Sequence, residues 1–394
     1  MRIDLSGLHS GKRECNLFFA ILVFIVILAV WGNGARQKRL AETAHEKSLF
    51  AMDTYFSLRA YGPNAEAGLT LCEDRVRELE KLLSVTAEGS DVWRIDQEQA
   101  ASVAEDTFRL IGEALRIGEQ TDGALDITLY PVLRAWGFTT GDYRIPEKQE
   151  LAELLTAVDY RAVALEGGSH SVTVPEGVQI DLGAVAKGYT GDVLIDILRQ
   201  QGVTSAILDL GGNVQTLGTK PDGTPWRVAV RNPFDRSQVA GVLEVNDMCV
   251  ITSGGYERYF TGEDGQIYWH ILDPVNGMPA RNGLVSVTVV GERGVRCDAL
   301  STALFVMGKD RAVAFWKQQG DFDMILITED GELILIDMAD VGRGHPIFDI
   351  GTLSYHYQII PGSQARDFGM RTILGFVPET NEFMDLLWKE QTLQ

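Results

Sequence analysis

Two hydrophobic periodicities, one of about 3.6 residues and one of 2, follow one another along residues 57–307 without the regular strand–helix–strand repetition of a parallel sheet. Ser57 to Tyr61 alternates as a strand does. Leu69, Cys72, Val76, Leu79 and Leu83 then recur at spacings of three and four, which places one apolar stripe on a helix. Ser102 followed by Glu105 reads as a capping box opening a second helix, with Phe108, Ile111 and Leu115 facing inward. A third helix is predicted from Gly188 to Gln201, ended by Gly202. Strands are predicted at Ala206–Leu210, Trp226–Arg231, Ile267–Leu272 and Leu284–Val290, and a fourth helix at Asp298–Met307 with Gly308 after it. This irregular mixture predicts an α+β fold.

Of the 394 residues 45% are hydrophobic, enough for a sizeable core, and the net charge is −20. That charge argues against a nucleic-acid partner, which needs clustered Lys and Arg. Cys15, Cys72, Cys249 and Cys297 are far apart and form no CxxC pair, so neither a zinc site nor a dense disulfide framework is suggested. Leu17 to Trp31 is an uninterrupted apolar run, preceded by Arg2, Lys12 and Arg13 and followed by Arg36, Lys38 and Arg39. It is short for a full span and long for a signal core. No small-x-small cleavage site follows closely, and Cys15 lies on the wrong side for a lipoprotein signal. The expectation is an uncleaved signal anchor, with a cleaved signal peptide second. Either reading exports the rest of the chain, and the anchor would hold it at the cell membrane with its main domain outside the cytoplasm.

The chemistry-bearing segments are rich in Gly and Asp. They are Thr121-Asp-Gly-Ala-Leu-Asp-Ile-Thr128 with Trp136-Gly-Phe138, Ile180-Asp-Leu-Gly-Ala-Val-Ala-Lys-Gly188, Asp209-Leu-Gly-Gly-Asn213, Thr252-Ser-Gly254 with Tyr256, His270-Ile-Leu-Asp-Pro274, and Asp298-Ala-Leu-Ser-Thr302. Asp298 and Thr302 lie four apart in a predicted helix and share a face. A carboxylate and a hydroxyl are hard oxygen ligands of the kind Mg²⁺ prefers, although a carboxylate in a first helical turn is also what the helix dipole favours. Lys187 enters a helix N-terminus, where a phosphate can meet both its ammonium and free N–H groups; a solvated lysine at a turn is the plainer reading. The order of a Walker A loop is absent, and no GxGxxG follows a strand. His270, at the exit of a strand, is a candidate acid/base or phosphate contact, or a satisfied core residue. Tyr256 and Trp136 could stack on a planar ring, but aromatics more often fill cores.

Taken in order, AMDTYF, TDGALDIT with WGF, IDLGAVAKGY, LDLGGNVQTLG, VAVRNP, ITSGGYERYF, HILDPVNGMP and DALSTALFVMG resemble the ApbE family of FAD:protein FMN transferases over about residues 48–333. The resemblance implies a single α+β transferase domain behind residues 1–47. It implies FAD as substrate, Mg²⁺ at the pyrophosphate, and an acceptor flavoprotein whose Ser or Thr hydroxyl attacks the FMN-side phosphorus while AMP leaves. It further implies Asp298, Thr302 and the neighbouring Ser301 as metal ligands, with a backbone carbonyl from Ala184. Asp181, Lys187, Thr252, Ser253 and Gly254 would be cofactor contacts. Met52, Gly123, Ala124, Leu125 and Asp126 would be parts of the flavin or adenine pocket. His270 matches a residue on which the family's activity depends, and His270 and Asp298 are the candidate bases. Thr86 stands where the family often has an aromatic, and Asn213 where it commonly has Asp.

Two readings compete: an FAD pyrophosphatase using water in place of the hydroxyl, and a non-catalytic flavin-binding protein. The tail from about residue 333, LILIDMADVGRGHPIFDIGTLSYHYQ onward, resembles the end of an aminoglycoside- or choline-kinase-like phosphotransferase, in which Asp337 would bind metal. The upstream lobe and HGD loop of that family are absent, so residues 334–394 are read as a fragment.

Overall fold

The structure, a computed structural model, describes residues 42–235 and 237–336 together with the backbone of strand Tyr357–Ile360. The apolar run 17–31 and Asp337 lie outside the described residues. Among those described, no helix is long and apolar enough to cross a membrane.

The elements in chain order are β1 (Ala44–Ala51), β2 (Thr54–Tyr61), α1 (Ala65–Leu83), α2 (Asp91–Glu98), β3 (Ala100–Ser102), α3 (Glu105–Gln120), α4 (Tyr130–Ala135), α5 (Lys148–Leu154), β4 (Ala164–Glu166), β5 (Ser171–Thr173), α6 (Ala186–Gln200), β6 (Ala206–Leu210), β7 (Asn213–Leu217), β8 (Trp226–Arg231), β9 (Val239–Val245), β10 (Cys249–Gly254), β11 (Tyr259–Thr261), β12 (Ile267–Trp269), β13 (Leu284–Gly291), α7 (Gly294–Gln319), β14 (Asp323–Thr328), β15 (Leu333–Ile336) and β16 (Tyr357–Ile360).

A nine-stranded sheet, ordered β1-β2-β6-β7-β10-β13-β14-β15-β16, organises the fold. Every pairing in it is antiparallel except that of β15 with β16. The α+β expectation holds. Both faces of the sheet centre are covered, and the period-2 alternation of side chains shows how. Ile251, Val287, Val289, Met324 and Leu326 enter the core beneath α7. Val250, Val290, Ile325 and Ile327 enter the opposite core, closed by the hairpin of β8 and β9. Strand β14 is therefore buried at every position. Helices α1, α6 and α7 pack in series over the first face, α1 on β1 and α7 on β10 and β13. Each fully buried Val, Leu or Ile contributes roughly 1.5–3 kcal/mol.

Three expectations need correcting, and one open alternative is decided. Ser102 does not cap α3: it ends β3, paired with Ser171, and its hydroxyl donates to Ser169 O. One backbone donor at that helix start is met from α2, whose Asp91 Oδ2 accepts from Ala104 N at 2.8 Å and also from the Thr107 hydroxyl at 2.7 Å. The predicted strand Ile267–Leu272 is regular only to Trp269: His270 N still bonds Arg258 O in register with β11, but beyond it only Leu272 pairs, as an isolated bridge with Pro279. The helix carrying Asp298 begins a turn earlier, at Gly294. It also resumes after Gly308, whose φ of 74° breaks the helical path between two segments. Trp136 is fully buried, donates to Gly277 O at 2.7 Å and packs with Phe260 and Tyr268, so it is core and cannot stack on a ligand.

Candidate active site

The site forms where the start of α6, the second and third turns of α7 and the end of β10 converge. Glycine permits the approach of α6 to α7: a Cβ on Gly188 would collide with Gly294 O and lie 2.7 Å from Asp298 Cβ. The gap so closed is bridged by Gly188 N, which donates to Asp298 Oδ2 at 2.8 Å. Gln215, from β7, locks the same crossing by donating to Gly188 O at 2.9 Å.

Asp298 is 4% exposed. The helix dipole does not explain it, because it lies beyond the first turn. That turn is capped instead by Asp192 of α6, which accepts from Gly294 N at 2.6 Å and Val295 N at 3.0 Å. Burial raises the Asp298 carboxyl above its ordinary range, opposed by the Lys187 ammonium and the Gly188 N–H. Lys187 Nζ sits 3.9 Å from Asp298 Oδ1, outside hydrogen-bond reach. One carboxylate oxygen is thus held by backbone, while the other faces the Lys187 ammonium at a distance. Asn213 lies close enough to favour the ionised form but makes no hydrogen bond of good geometry. Its amide nitrogen and oxygen are both buried without a partner. Orphaned groups of this kind are expensive to bury and call for a missing partner.

Three hydroxyls complete the cluster. Ser253 Oγ lies 2.8 Å from Ser301 Oγ and 3.2 Å from Thr302 Oγ1, and Ser301 Oγ also donates to Asp298 O at 2.9 Å. Among the described residues no three His, Cys, Asp or Glu side chains gather as a metal cage. One carboxylate, neutral oxygens and an unpartnered amide nonetheless suit a small hard cation. Mg²⁺ is commonly held by one or two carboxylates, with waters and substrate phosphate filling the remaining positions.

Around the cluster stand two cations and a histidine. His270 Nδ1 lies 3.2 Å from Arg258 O; with the proton on Nδ1 it donates there and leaves Nε2 free to accept. Burial lowers the ring's pKa to about 3, helped by Arg258 and Lys187, so His270 is neutral near pH 7. Asp181 senses the same two cations, although its own burial raises it, and its Oδ1 accepts from Gly183 N at 2.8 Å. Arg258, which donates to Phe138 O at 2.7 Å, was not singled out from the sequence. Its signal was its place inside ITSGGYERYF.

The other expected residues divide. Met52 and Asp53 form the two-residue turn joining β1 to β2, with φ of 48° and 59°, a strained conformation for non-glycine residues. Met52 N is held by Glu80 Oε1 at 2.7 Å, and its sulfur lies 3.7 Å from Thr190 Oγ1 on α6. Gly254 lies against Tyr256, whose ring would meet any Cβ placed there. Ala184 is half-buried between Asp181 and α6. Gly123, at φ 76°, lies beside Tyr160, and Ala124 and Leu125 are buried in the core. The Asp126 carboxylate is fully engaged: it accepts from Thr128 N at 2.8 Å, Thr128 Oγ1 at 2.6 Å and Tyr160 N at 3.0 Å. Thr252 alternates to the opposite sheet face from Ser253 and pairs with Thr288 Oγ1 at 2.8 Å, so its side chain does not join the cluster. Thr86 is exposed, its hydroxyl 3.3 Å from that of Ser84.

Residues 52–326 match the ApbE family. The chain belongs to the ApbE family. An FAD:protein FMN transferase of Vibrio cholerae is 34% identical over 263 residues, covering 65% of this chain and 78% of the relative. One of Treponema pallidum is 31% identical over 341 residues, covering 81% and 93%. Among solved structures, the ApbE protein of Thermotoga maritima aligns with a TM-score of 0.70 at 33% identity, over 74% of this chain and 96% of that one. The flavin transferase ApbE of Vibrio cholerae aligns with a TM-score of 0.66 at 28% identity, over 74% and 97%. The match ends before the kinase-like tail, and nothing in these relatives supports that resemblance.

Proposed function

We propose that this ApbE-family chain transfers the FMN half of FAD to a Ser or Thr hydroxyl of an acceptor protein, with AMP as the leaving product and Mg²⁺ as the cation at Asp298. Transfer of FMN from FAD to protein rests on the named relatives and on the fold they share with this chain. The observation that carries the finer reading is the unsatisfied polar cluster. A buried carboxylate with one oxygen unbonded, an orphaned amide and converging hydroxyls lie where α6 begins.

Asp298, Ser301 and Thr302, with the Ala184 carbonyl, would hold the cation, which when bound neutralises charge on the phosphate oxygens. Lys187 and Arg258 supply fixed positive charge toward the diphosphate, and Asp181 orients the loop that carries Lys187. Met52 and Gly254 border the space for the ring systems. His270, neutral and with Nε2 unprotonated when Nδ1 bonds Arg258 O, can accept the proton of the attacking hydroxyl. An entering diphosphate offsets the two cations that depress this ring, so substrate raises its basicity. Positioning and charge stabilisation carry most of the rate in transfers of this kind. An anchor at 17–31, holding the domain outside the cytoplasm, would bring it to exported acceptors.

The test is incubation with FAD, Mg²⁺ and a Ser/Thr-bearing acceptor peptide, read by mass. A gain of one FMN on the peptide, abolished by EDTA and restored by Mg²⁺, is the expected result. FMN and AMP released equally with or without peptide would replace transfer by hydrolysis. A gain unaffected by chelation would remove the cation.

A further inference from the structure

We propose that Asp96 of α2 is a positioning residue for the substrate loop, a buried hook on Ile180 N that fixes the course of the chain through Asp181 toward the site. The inference rests on the reading of the 180–188 loop as the FAD-binding segment. It concerns a residue outside every motif named above.

The geometry is specific. Asp96 is 7% exposed, and its Oδ1 accepts from Ile180 N at 2.8 Å. The next residue, Asp181, is tied by its own N–H to Ile127 O at 2.8 Å. Two consecutive backbone N–H groups are thus clamped from different parts of the fold, and the loop leaves that clamp toward Ala184 and Lys187. Asp96 Oδ2, by contrast, is buried without a hydrogen-bond partner. An ionised carboxylate with a bare oxygen in such a place is costly, whereas a protonated one keeps the hook and sheds the charge. The groups that face it are the Asp181 carboxylate, which opposes its ionisation, and Arg134 on α4, which favours it. The Tyr130 phenol, also on α4, senses both carboxylates. Burial is the dominant cause, and it brings the Asp96 carboxyl up to about 7. Two carboxylates side by side cannot both ionise freely. While Asp96 keeps its proton, it adds no negative charge beside Asp181, and the loop keeps its shape. As pH rises through neutrality, Asp96 ionises and the two repel, which loosens the loop and weakens FAD binding.

Asp96→Asn tests this directly, because the amide keeps an oxygen for Ile180 N and carries no charge at any pH. In the full-length protein, the KM for FAD is measured from pH 6 to 9 in the wild type, Asp96→Asn and Asp96→Leu. The wild-type KM should rise several-fold above pH 7 while kcat changes less, and the Asn variant should hold a flat KM at the wild-type acid value. The Leu variant, which loses the hook, should show KM raised about tenfold at every pH, as expected for one buried hydrogen bond. An Asn variant whose KM climbs with pH as the wild type's does would overturn the proposal, even if Asp96→Leu fails to fold. So would a Leu variant with wild-type KM. FAD affinity of Asp181→Asn separates the two layers: if it is unchanged, the loop reading itself falls.

Discussion

Two clusters of buried polar groups sit on either side of the Asp181 loop and differ in how they are satisfied. Around Asp126, three donors meet the carboxylate and nothing polar is left over. Around Asp298, the carboxylate takes one backbone donor, its second oxygen lies 3.9 Å from the Lys187 ammonium, and the nearby Asn213 amide has no hydrogen bond of good geometry. Both carboxylates are raised by burial. The first cluster has the profile of scaffolding, in which a short polar side chain substitutes for backbone partners and fixes a turn. The second has the profile of a site that gives up stability so that a ligand can complete it. The same residue type, in motifs of similar appearance, therefore does opposite things.

The strongest way to break that contrast is to truncate each carboxylate in turn. Asp298→Ala should lower the flavin-transfer rate by a hundredfold or more, as losses of groups that stabilise transferring charge do. It should change the melting temperature little, because removal of a buried and incompletely paired charge offsets the loss of the acceptor for Gly188 N–H. Asp126→Ala should do the reverse. Three hydrogen bonds of about 1 kcal/mol each are lost and three buried donors stranded, so unfolding free energy should fall by about 3 kcal/mol or more, while molecules still folded retain transfer activity. Urea denaturation together with rate per folded molecule reads both. A stabilised Asp126 variant, or an Asp298 variant that is unstable yet active, would collapse the distinction.

Much of this was legible in the sequence, and the misses have physical causes. The spacing of Asp298 and Thr302 put both on one helix face, and Gly202 marked a helix end; that Gly188 admits α7 was not read from the sequence. The capping box at Ser102 failed because a three-residue strand competed for the same serine, and the cap came from Asp91 through tertiary packing. The contrast between Asp126 and Asp298 could not be read at all, since hydrogen-bond satisfaction depends on partners at 160, 188 and 213. Asp192 was invisible for the same reason: it caps a helix a hundred residues away. Trp136 follows the commoner reading of an aromatic beside a motif: it is core, and Gly277 O receives its N–H.

Acid should sharpen the comparison, because the site also carries His270. Its folded pKa of about 3 lies below the ordinary 6.5, so the unfolded chain binds the proton more tightly. Stability from this group is present above pH 6.5 and is lost as pH falls toward 3. Asp192, raised to about 6, and Asp96, raised to about 7, work in the opposite sense: the folded state holds their protons, so stability falls as pH climbs from about 4 to those values. Replacing His270 by Asn should thus reduce acid lability between pH 6.5 and 3, measured as the urea midpoint against pH. A variant with the wild-type acid slope would show that the ring is already solvated in the absence of substrate.

The smallest effect tests whether the hydroxyl cluster belongs to the site or merely packs there. Ser253 bridges Ser301 and Thr302 from the neighbouring strand, so Ser253→Ala removes a shared partner without touching Asp298. Ser301 keeps its bond to Asp298 O, and Thr302 loses its orientation only. A positioning role predicts a transfer rate down about three- to tenfold and a higher Mg²⁺ requirement, with a stability change within about 1 kcal/mol. Thr252→Ala is the matched control one residue away, because its hydroxyl meets Thr288 on the other face of the same strand. It should alter stability to a similar degree and leave the magnesium requirement where it was. Equal magnesium dependence in the two variants would mean that the face of β10, and with it the convergence of hydroxyls on α7, has no part in holding the cation.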